Sequence, residues 1–582
     1  MLRNQETLNQ LPIPSLNNLL EFLNWIKPIV DDKQFQESKQ ALDEFLAING
    51  DGYKLHNKLL EISEKQECNW LEPLWNDMYL QYRQQLVCNM NYYSILENTK
   101  FKPLYTMSTL GAKLTYELIS KYIEVSSQRL SPEFIKNQPL CMEQYNHIFK
   151  SVRLPLLNKD IYITYQFAKS HHIVVLHNNN IFKLETSDLD GNIISVEIIA
   201  SKIQKIIDEN IQDRANNIAS LTTSNRDDAS KLYEAIKTDT INKNSLDIIN
   251  TAIFVLCIDH PTSNTKELQK SILISNGKNR YFDKSCQLII SENLDIGFNN
   301  EHTGADATTW FNIINQSFNK IVQDKKETIR ISDTSLPEEL KWNISDDIKS
   351  RLANQLNEHQ KFNQNIYVDN LQFSNFGKNL IKELMMSPDA FFHIALQIAQ
   401  YKTFGIFKST YESVSMRHFQ NGRTECSRAV NEDVSLLAIE ICSNNSSKSK
   451  LKDLLINAQS SHVKRINNCQ KGLGIERHFF ALYKLYEKYG EELGIIKTPN
   501  IYNSPGYKIL THDFISSSGI AFDSIKLFGF GPVVEDGYGI GYVINNEKIT
   551  VSISSKTKNK DKAIQLLNNL NEAFLTLVSI AT

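Results

Sequence analysis

The chain has 582 residues, 41% of them apolar and 22% charged, with a formal net charge of −3. That length calls for two or more packed units with sizeable cores, and the composition excludes a disordered chain. Without a basic field, nucleic acid is excluded as a main partner, so any anion must be met by a local patch.

Cys68, Cys88, Cys141, Cys257, Cys286, Cys426, Cys442 and Cys469 fall singly, with no C-x-x-C pair. Neither a zinc ribbon nor a disulfide framework is predicted, no metal site is expected, and the thiols read as reduced in a reducing compartment. The N-terminal stretch MLRNQETLNQLP has no signal-peptide core. No apolar run approaches the roughly 20 residues that span a bilayer. A soluble, cytoplasmic monomer is the expectation, with export by a signal-independent route left open.

In chain order, two prolines extend 11–14, and Ser15 caps a helix with Leu16, Leu19, Leu20, Leu23 and Ile26 on one face. A second helix is predicted over 35–46. The segment 69–93 is crowded with Trp70, Trp75, Tyr79, Tyr82, Tyr92 and Tyr93; such crowding means core, or in part the wall of a ligand passage. Strands are predicted at 160–165, 172–177, 181–186 and 251–258, with helices at 198–210 and 229–238 between them. Strands interleaved with long helices define an α/β class with mixed sheets. The charged stretch 324–338 reads as a solvated connection, followed by a helix over 344–362. The boundary between an N-terminal domain, 1–365, and a C-terminal domain, 366–582, is placed there. The second half should hold a strand at 366–373 and a helix started by Ser387-Pro388. A surface loop at 443–449, a helix over 473–489, strands at 510–514 and 525–530, a hairpin over 541–554 and a closing helix over 563–578 complete it.

The stretch GFNNEHTGADA, 297–307, sets His302 four residues before Asp306, after an apolar run and before the helical pattern Phe311, Ile314, Phe318, Ile321. A histidine on a strand-to-helix turn is held on both sides yet points outward, as a general base requires. The alternative for Asp306 is a helix N-cap. Lys378 and Lys382, four apart on a helix, face one way and can grip a phosphate, unless they only decorate a solvated face. Tyr411, Ser413 and Thr424 are hydroxyls able to surround a carboxylate. Ser516, Ser517 and Ser518 follow a predicted strand and offer a hydroxyl to an oxyanion; a flexible turn is the plainer reading. Arg477 lies in an apolar helix and needs a carboxylate partner, for which Asp306 is the candidate. The glycine-rich 529–542 lacks the Lys-Ser/Thr ending of a P-loop; its glycines let strands and ligand approach closely.

LPIPSLNNLLEFL, NWLEPLWNDMYL, PLCMEQYNHIFKSVRLP, NRYFDKSCQLII, EHTGADA, FGKNLIKELMMSPD, TYESVSMRHFQNGRT, ERHFFAL and FGPVVEDGYG occur in that order, and together the chain closely resembles the carnitine/choline acyltransferases over nearly its whole length. The resemblance implies a two-domain α/β fold with an active-site tunnel at the domain interface, entered by CoA from one side and the amino alcohol from the other. It implies His302 as catalytic base, Asp306 and Arg477 as a supporting ion pair, and Ser518, with Ser516, near the reacting oxygen. Lys378, Lys382 and Asp389 would contact CoA, a co-substrate rather than a resident cofactor. Tyr411, Ser413 and Thr424 would hold carnitine's carboxylate, and Phe530 and Val533 would wall its trimethylammonium group. Thr424 and Arg477 favour carnitine over choline, and Phe528, where longer-chain members carry glycine, implies acetyl or propionyl. Departures from the family pattern are Gly519 in place of glutamine after the serines, Ala307 in place of glycine, and Tyr281 in place of tryptophan. Two rivals remain: an acyltransferase for choline or another amino alcohol, and a non-catalytic protein that binds acyl-CoA or a partner.

Overall fold

The computed structural model describes residues 5, 7–65, 69–166, 171–188, 190–209, 216–323 and 335–582. Two mixed sheets organise the described residues. The first has eight strands in the order Glu338–Glu339, Asn180–Glu185, His172–His177, Val255–Asp259, Cys286–Ser291, Ile296–Asn300, Tyr92–Leu96 and Ile525–Phe530. Its centre is parallel, Val174 to Val255 and Val255 to Gln287. Both faces there are buried, which is why these strands read as apolar runs and not as alternation. Helices Met107–Ser126, Val196–Asp208 and Ala307–Val322 cover one face, and Arg226–Lys237, Thr240–Thr251 and Asp346–Gln364 the other.

The second sheet has six strands, ordered Ile366–Phe373, Ile549–Lys556, Tyr538–Ile544, Ile515–Ile520, Thr410–Ser415 and Thr424–Arg428. Helices Pro388–Phe404 and Lys560–Ala581 pack on it through Phe391, Phe392 and Phe574. Ser387 accepts a hydrogen bond from the Ala390 amide and Pro388 occupies the first turn, the helix start expected of that pair. An N-terminal cluster, Leu16–Leu20 through Asp51–Glu64, packs its apolar face against helix Glu476–Tyr489.

Strand Ile525–Phe530 ties the sheets together. It pairs with Tyr92–Leu96 in the first sheet, while the Ser554 hydroxyl of the second donates to the Phe530 carbonyl at 2.6 Å. A Cβ on Gly541 would stand 2.1 Å from the Phe528 carbonyl oxygen, so this crossing requires a residue without a side chain.

Three expectations change. Residues 505–511 form helix Pro505–Thr511, capped by Ser504, and the strand begins only at Ile515, because Ser504-Pro505 is a helix start. The three serines therefore lie within strand Ile515–Ile520 and neither follow a strand nor form a flexible turn. The strand expected from 251 begins at Val255, since Thr251 ends helix Thr240–Thr251. The charged connection at 324–338 falls largely outside the described residues. Among the described residues no helix is long and apolar enough to cross a membrane.

Candidate active site

Strand Ile296–Asn300 and helix Ala307–Val322 bracket the turn that carries His302. Tyr79 stacks on the imidazole with ring centroids 5.6 Å apart and Tyr92 meets it edge-on at 5.2 Å. The aromatic segment thus serves both readings: Trp70 is 4% exposed in the core, whereas Trp75, Tyr79 and Tyr92 also line a cavity with His302. The histidine side chain is 30% exposed and its Nδ1 is buried, so the ring turns its other edge to the opening. Burial lowers the His302 pKa, with Asp306 opposing and Arg423 reinforcing the shift. The ring is therefore neutral near pH 7, the form able to accept a proton.

Asp306 occupies the N-cap position but makes no side-chain cap bond. Its Oδ1 accepts from Arg423 Nε at 3.1 Å and its Oδ2 from Gln144 Nε2 at 2.8 Å. Burial pushes the Asp306 pKa up, but Arg423 and His302 outweigh it and hold the carboxyl below its usual range. Arg423 also donates to the carbonyls of Thr303, 2.8 Å, and His302, 3.1 Å. Gln144 returns its Oε1 to the Asp306 amide and the Thr309 hydroxyl, both at 2.8 Å. Beneath the turn, fully buried Arg153 bonds Thr303 Oγ1 at 3.1 Å and Asp160 at 2.7 Å. The turn is fixed from several directions before any ligand arrives.

The expected Asp306–Arg477 ion pair is not formed. Asp306 is taken by Arg423, and Arg477 instead donates to the Thr424 carbonyl at 3.1 Å and the Tyr411 hydroxyl at 2.8 Å. Its guanidinium lies 4.0 Å from the Trp75 ring centroid, a cation–π contact. Arg477 is 5% exposed, and it has no salt bridge among the described residues.

One cavity of about 480 Å³ is lined by His302, Tyr411, Ser413, Thr424, Arg477, Ser516, Ser518, Phe528, Phe530 and Val533. Strand geometry accounts for part of this: Ser516 and Ser518, two apart, share a face, as do Tyr411 and Ser413 on the adjoining parallel strand. The intervening Ser517 hydroxyl donates to the Tyr411 carbonyl at 2.6 Å. Phe528 is 2% exposed and packs edge-on against Phe311, 5.3 Å, and Tyr92, 6.2 Å. Val533, 56% exposed, sits at the rim. Asp306 lies behind this wall. Lys378 and Asp389 line a separate groove of about 630 Å³ to which strand Ile515–Ile520 contributes Gly519 and Ile520. Lys382 shares helix Lys378–Glu383 but does not line that groove.

Sequence reasoning missed Arg423, Gln144 and Arg153. Arg423 immediately precedes Thr424, and Gln144 and Arg153 lie within PLCMEQYNHIFKSVRLP, so all three were inside recognised motifs with no role attached.

The family model for choline/carnitine O-acyltransferases matches residues 11–572. The chain belongs to that family. Carnitine O-acetyltransferase of Columba livia is 30% identical over 99% of this chain and 94% of its own length, and that of Homo sapiens 30% over 98% and 93%. Human carnitine O-palmitoyltransferase 2, mitochondrial, is 27% identical over 95% of this chain and 88% of its own. Within the family, relatives named for short and for long acyl groups both align over 95% or more of this chain.

Proposed function

We propose that this family member transfers a short acyl group, acetyl or propionyl, reversibly between CoA and the hydroxyl of carnitine. The observation that carries the reading is the convergence on one cavity of the His302 imidazole, its pKa lowered by burial, a serine hydroxyl and an arginine that makes no salt bridge among the described residues. In the proposed step, His302 takes the hydroxyl proton as that oxygen attacks the thioester carbonyl. Ser518 donates a hydrogen bond to the resulting oxyanion, with Ser516 beside it. The carbon–sulfur bond then breaks, and the proton passes from His302 to the departing CoA sulfur. No covalent enzyme intermediate is needed if both substrates meet at the imidazole, in a passage between domains 1–365 and 366–582.

Arg477, Tyr411, Ser413 and Thr424 would receive the carboxylate, and Phe530 and Val533 would border the trimethylammonium group. A buried arginine whose guanidinium bonds a hydroxyl, a carbonyl and an aromatic face, with Glu425 acting on it without a salt bridge, is suited to an anionic ligand; choline brings none. Lys378, Lys382 and Asp389 would contact CoA, the lysines at its phosphates. Phe528 would close the space that a longer acyl chain requires.

The test is thiol release from acetyl-CoA with carnitine and choline assayed side by side. Carnitine-dependent release supports the reading. Release with choline alone would make the protein an acyltransferase for another amino alcohol, and none with either would leave a binding protein.

A further inference from the structure

A second cluster of reactive side chains lies outside the cavity of His302, where helices Pro388–Phe404 and Lys448–Gln470 cross strand Thr410–Ser415. It consists of Asp389, His393, Glu412 and His462. His393 is fully buried, and Glu412 and His462 are each 3% exposed. Ligand-type atoms of Asp389, His393 and Glu412 all lie within 4.8 Å of one another. Both imidazoles turn Nε2 to the same Glu412 oxygen, each at 3.5 Å, and His462 Nε2 is also 3.4 Å from Asp389 Oδ2.

These separations are informative. A charge-assisted hydrogen bond between imidazole and carboxylate closes to roughly 2.7–2.9 Å, and nothing in the cluster reaches that. Nitrogen and oxygen ligands bound to zinc at about 2.0–2.2 Å in a tetrahedron stand roughly 3.3–3.6 Å apart, and His393–Glu412, His462–Glu412 and His462–Asp389 fall in that range, while Asp389, His393 and Glu412 lie within 4.8 Å of one another. Two further features point the same way. Glu412 Oε2 is buried with no hydrogen-bond partner, which is costly for a carboxylate unless a charge organises it, and His393 Nε2 has the Tyr542 hydroxyl, at 3.2 Å, within hydrogen-bond distance. The remaining Asp389 oxygen accepts from the Tyr542 hydroxyl at 2.7 Å, the outer contact that orients a ligating carboxylate.

We propose that Asp389, His393, Glu412 and His462 form a site for one zinc-type divalent cation. Two imidazoles with two carboxylates suit a borderline ion, whereas calcium and magnesium favour all-oxygen shells. The Asp389 side chain is 46% exposed and lines the 630 Å³ groove, giving the ion a way in. Once bound, it would staple two helices to the second sheet.

The test uses full-length, tag-free protein treated with chelator and desalted, titrated with cobalt(II) and followed by visible absorption, then with zinc by calorimetry. The expected result is one equivalent of cobalt with the intense bands of four-coordinate metal, displaced by zinc. His393→Gln and Glu412→Gln should each weaken zinc binding by more than the roughly 10- to 100-fold typical of losing an outer contact. Weak octahedral cobalt bands, or zinc affinity unchanged in a folded variant, would overturn the proposal. Should a variant fail to fold, the wild-type cobalt spectrum decides alone. Binding is read without CoA and without turnover, so failure of the metal site is distinguishable from failure of the proposed acyl transfer, with which it shares Asp389.

Discussion

Arg423 is the residue whose removal the structure makes most quantitative. It is 6% exposed and Asp306 7%, so Arg423→Met strands a buried carboxylate with only the Gln144 hydrogen bond and His302 Nδ1, 3.9 Å away, facing it, and opens two bonds to the His302 turn. Breaking a buried pair from one side costs about 3–5 kcal/mol. Asp306→Asn leaves Arg423 its two carbonyl acceptors and should cost less, about 1.5–3 kcal/mol. The double variant removes the stranded charge, so it should be less destabilised than the sum of the singles by about 1–3 kcal/mol. The assay is urea unfolding of the four proteins, followed by tryptophan fluorescence, with midpoints compared at equal slope. Additivity within about 0.5 kcal/mol would refute the pairing. A parallel cycle of Asp306→Asn with Arg477→Met should show the smaller coupling, and the opposite ranking would restore the pair expected from sequence.

The same geometry predicts pH behaviour with a definite sign. Because the His302 pKa is lowered by burial, the acid limb of kcat/KM should lie below pH 6.5. Asp306 raises that pKa and Arg423 lowers it. Asp306→Asn should therefore move the limb to lower pH and Arg423→Met to higher pH, and shifts in one common direction would contradict the electrostatics. Thr424→Val with Arg477→Asn should raise KM for carnitine while leaving that for acetyl-CoA near the parent value; an unchanged carnitine KM would remove Arg477 from the substrate site. Phe528→Gly should admit octanoyl-CoA, at a stability cost on the order of 3–5 kcal/mol from the vacated ring. A folded variant still confined to acetyl- and propionyl-CoA would place the acyl group elsewhere.

Much of this architecture was legible because local signals and burial agreed. The runs at 172–177 and 286–291 are apolar throughout because sheet neighbours and helices cover both faces, and Ser387-Pro388 announces its helix by capping chemistry alone. Local signals misled where the apolar pattern was short: Leu510 looked like the start of a strand, but the cap at Ser504 had already committed 505–511 to a helix. The site was legible as a set of residues because the motifs occur in order. Partnership was not legible, since it depends on where distant strands meet. Arg477 is expected to pair with Asp306 because a buried arginine needs a carboxylate and the resemblance implies that pair, yet Arg423, adjacent to Thr424 in sequence, turns toward the histidine turn while Thr424 lines the cavity. The cluster of Asp389, His393, Glu412 and His462 draws on two helices and a strand, so no spacing along the chain could have revealed it.

The proposed acyl transfer depends on the imidazole of His302. Thiol release from acetyl-CoA should depend on carnitine in the parent protein. It should fall by about 10²- to 10⁴-fold in a folded His302→Ala variant, and by the smaller factor of about 10²- to 10³-fold in Ser518→Ala. Carnitine-dependent release that survives His302→Ala at the parental rate would contradict it.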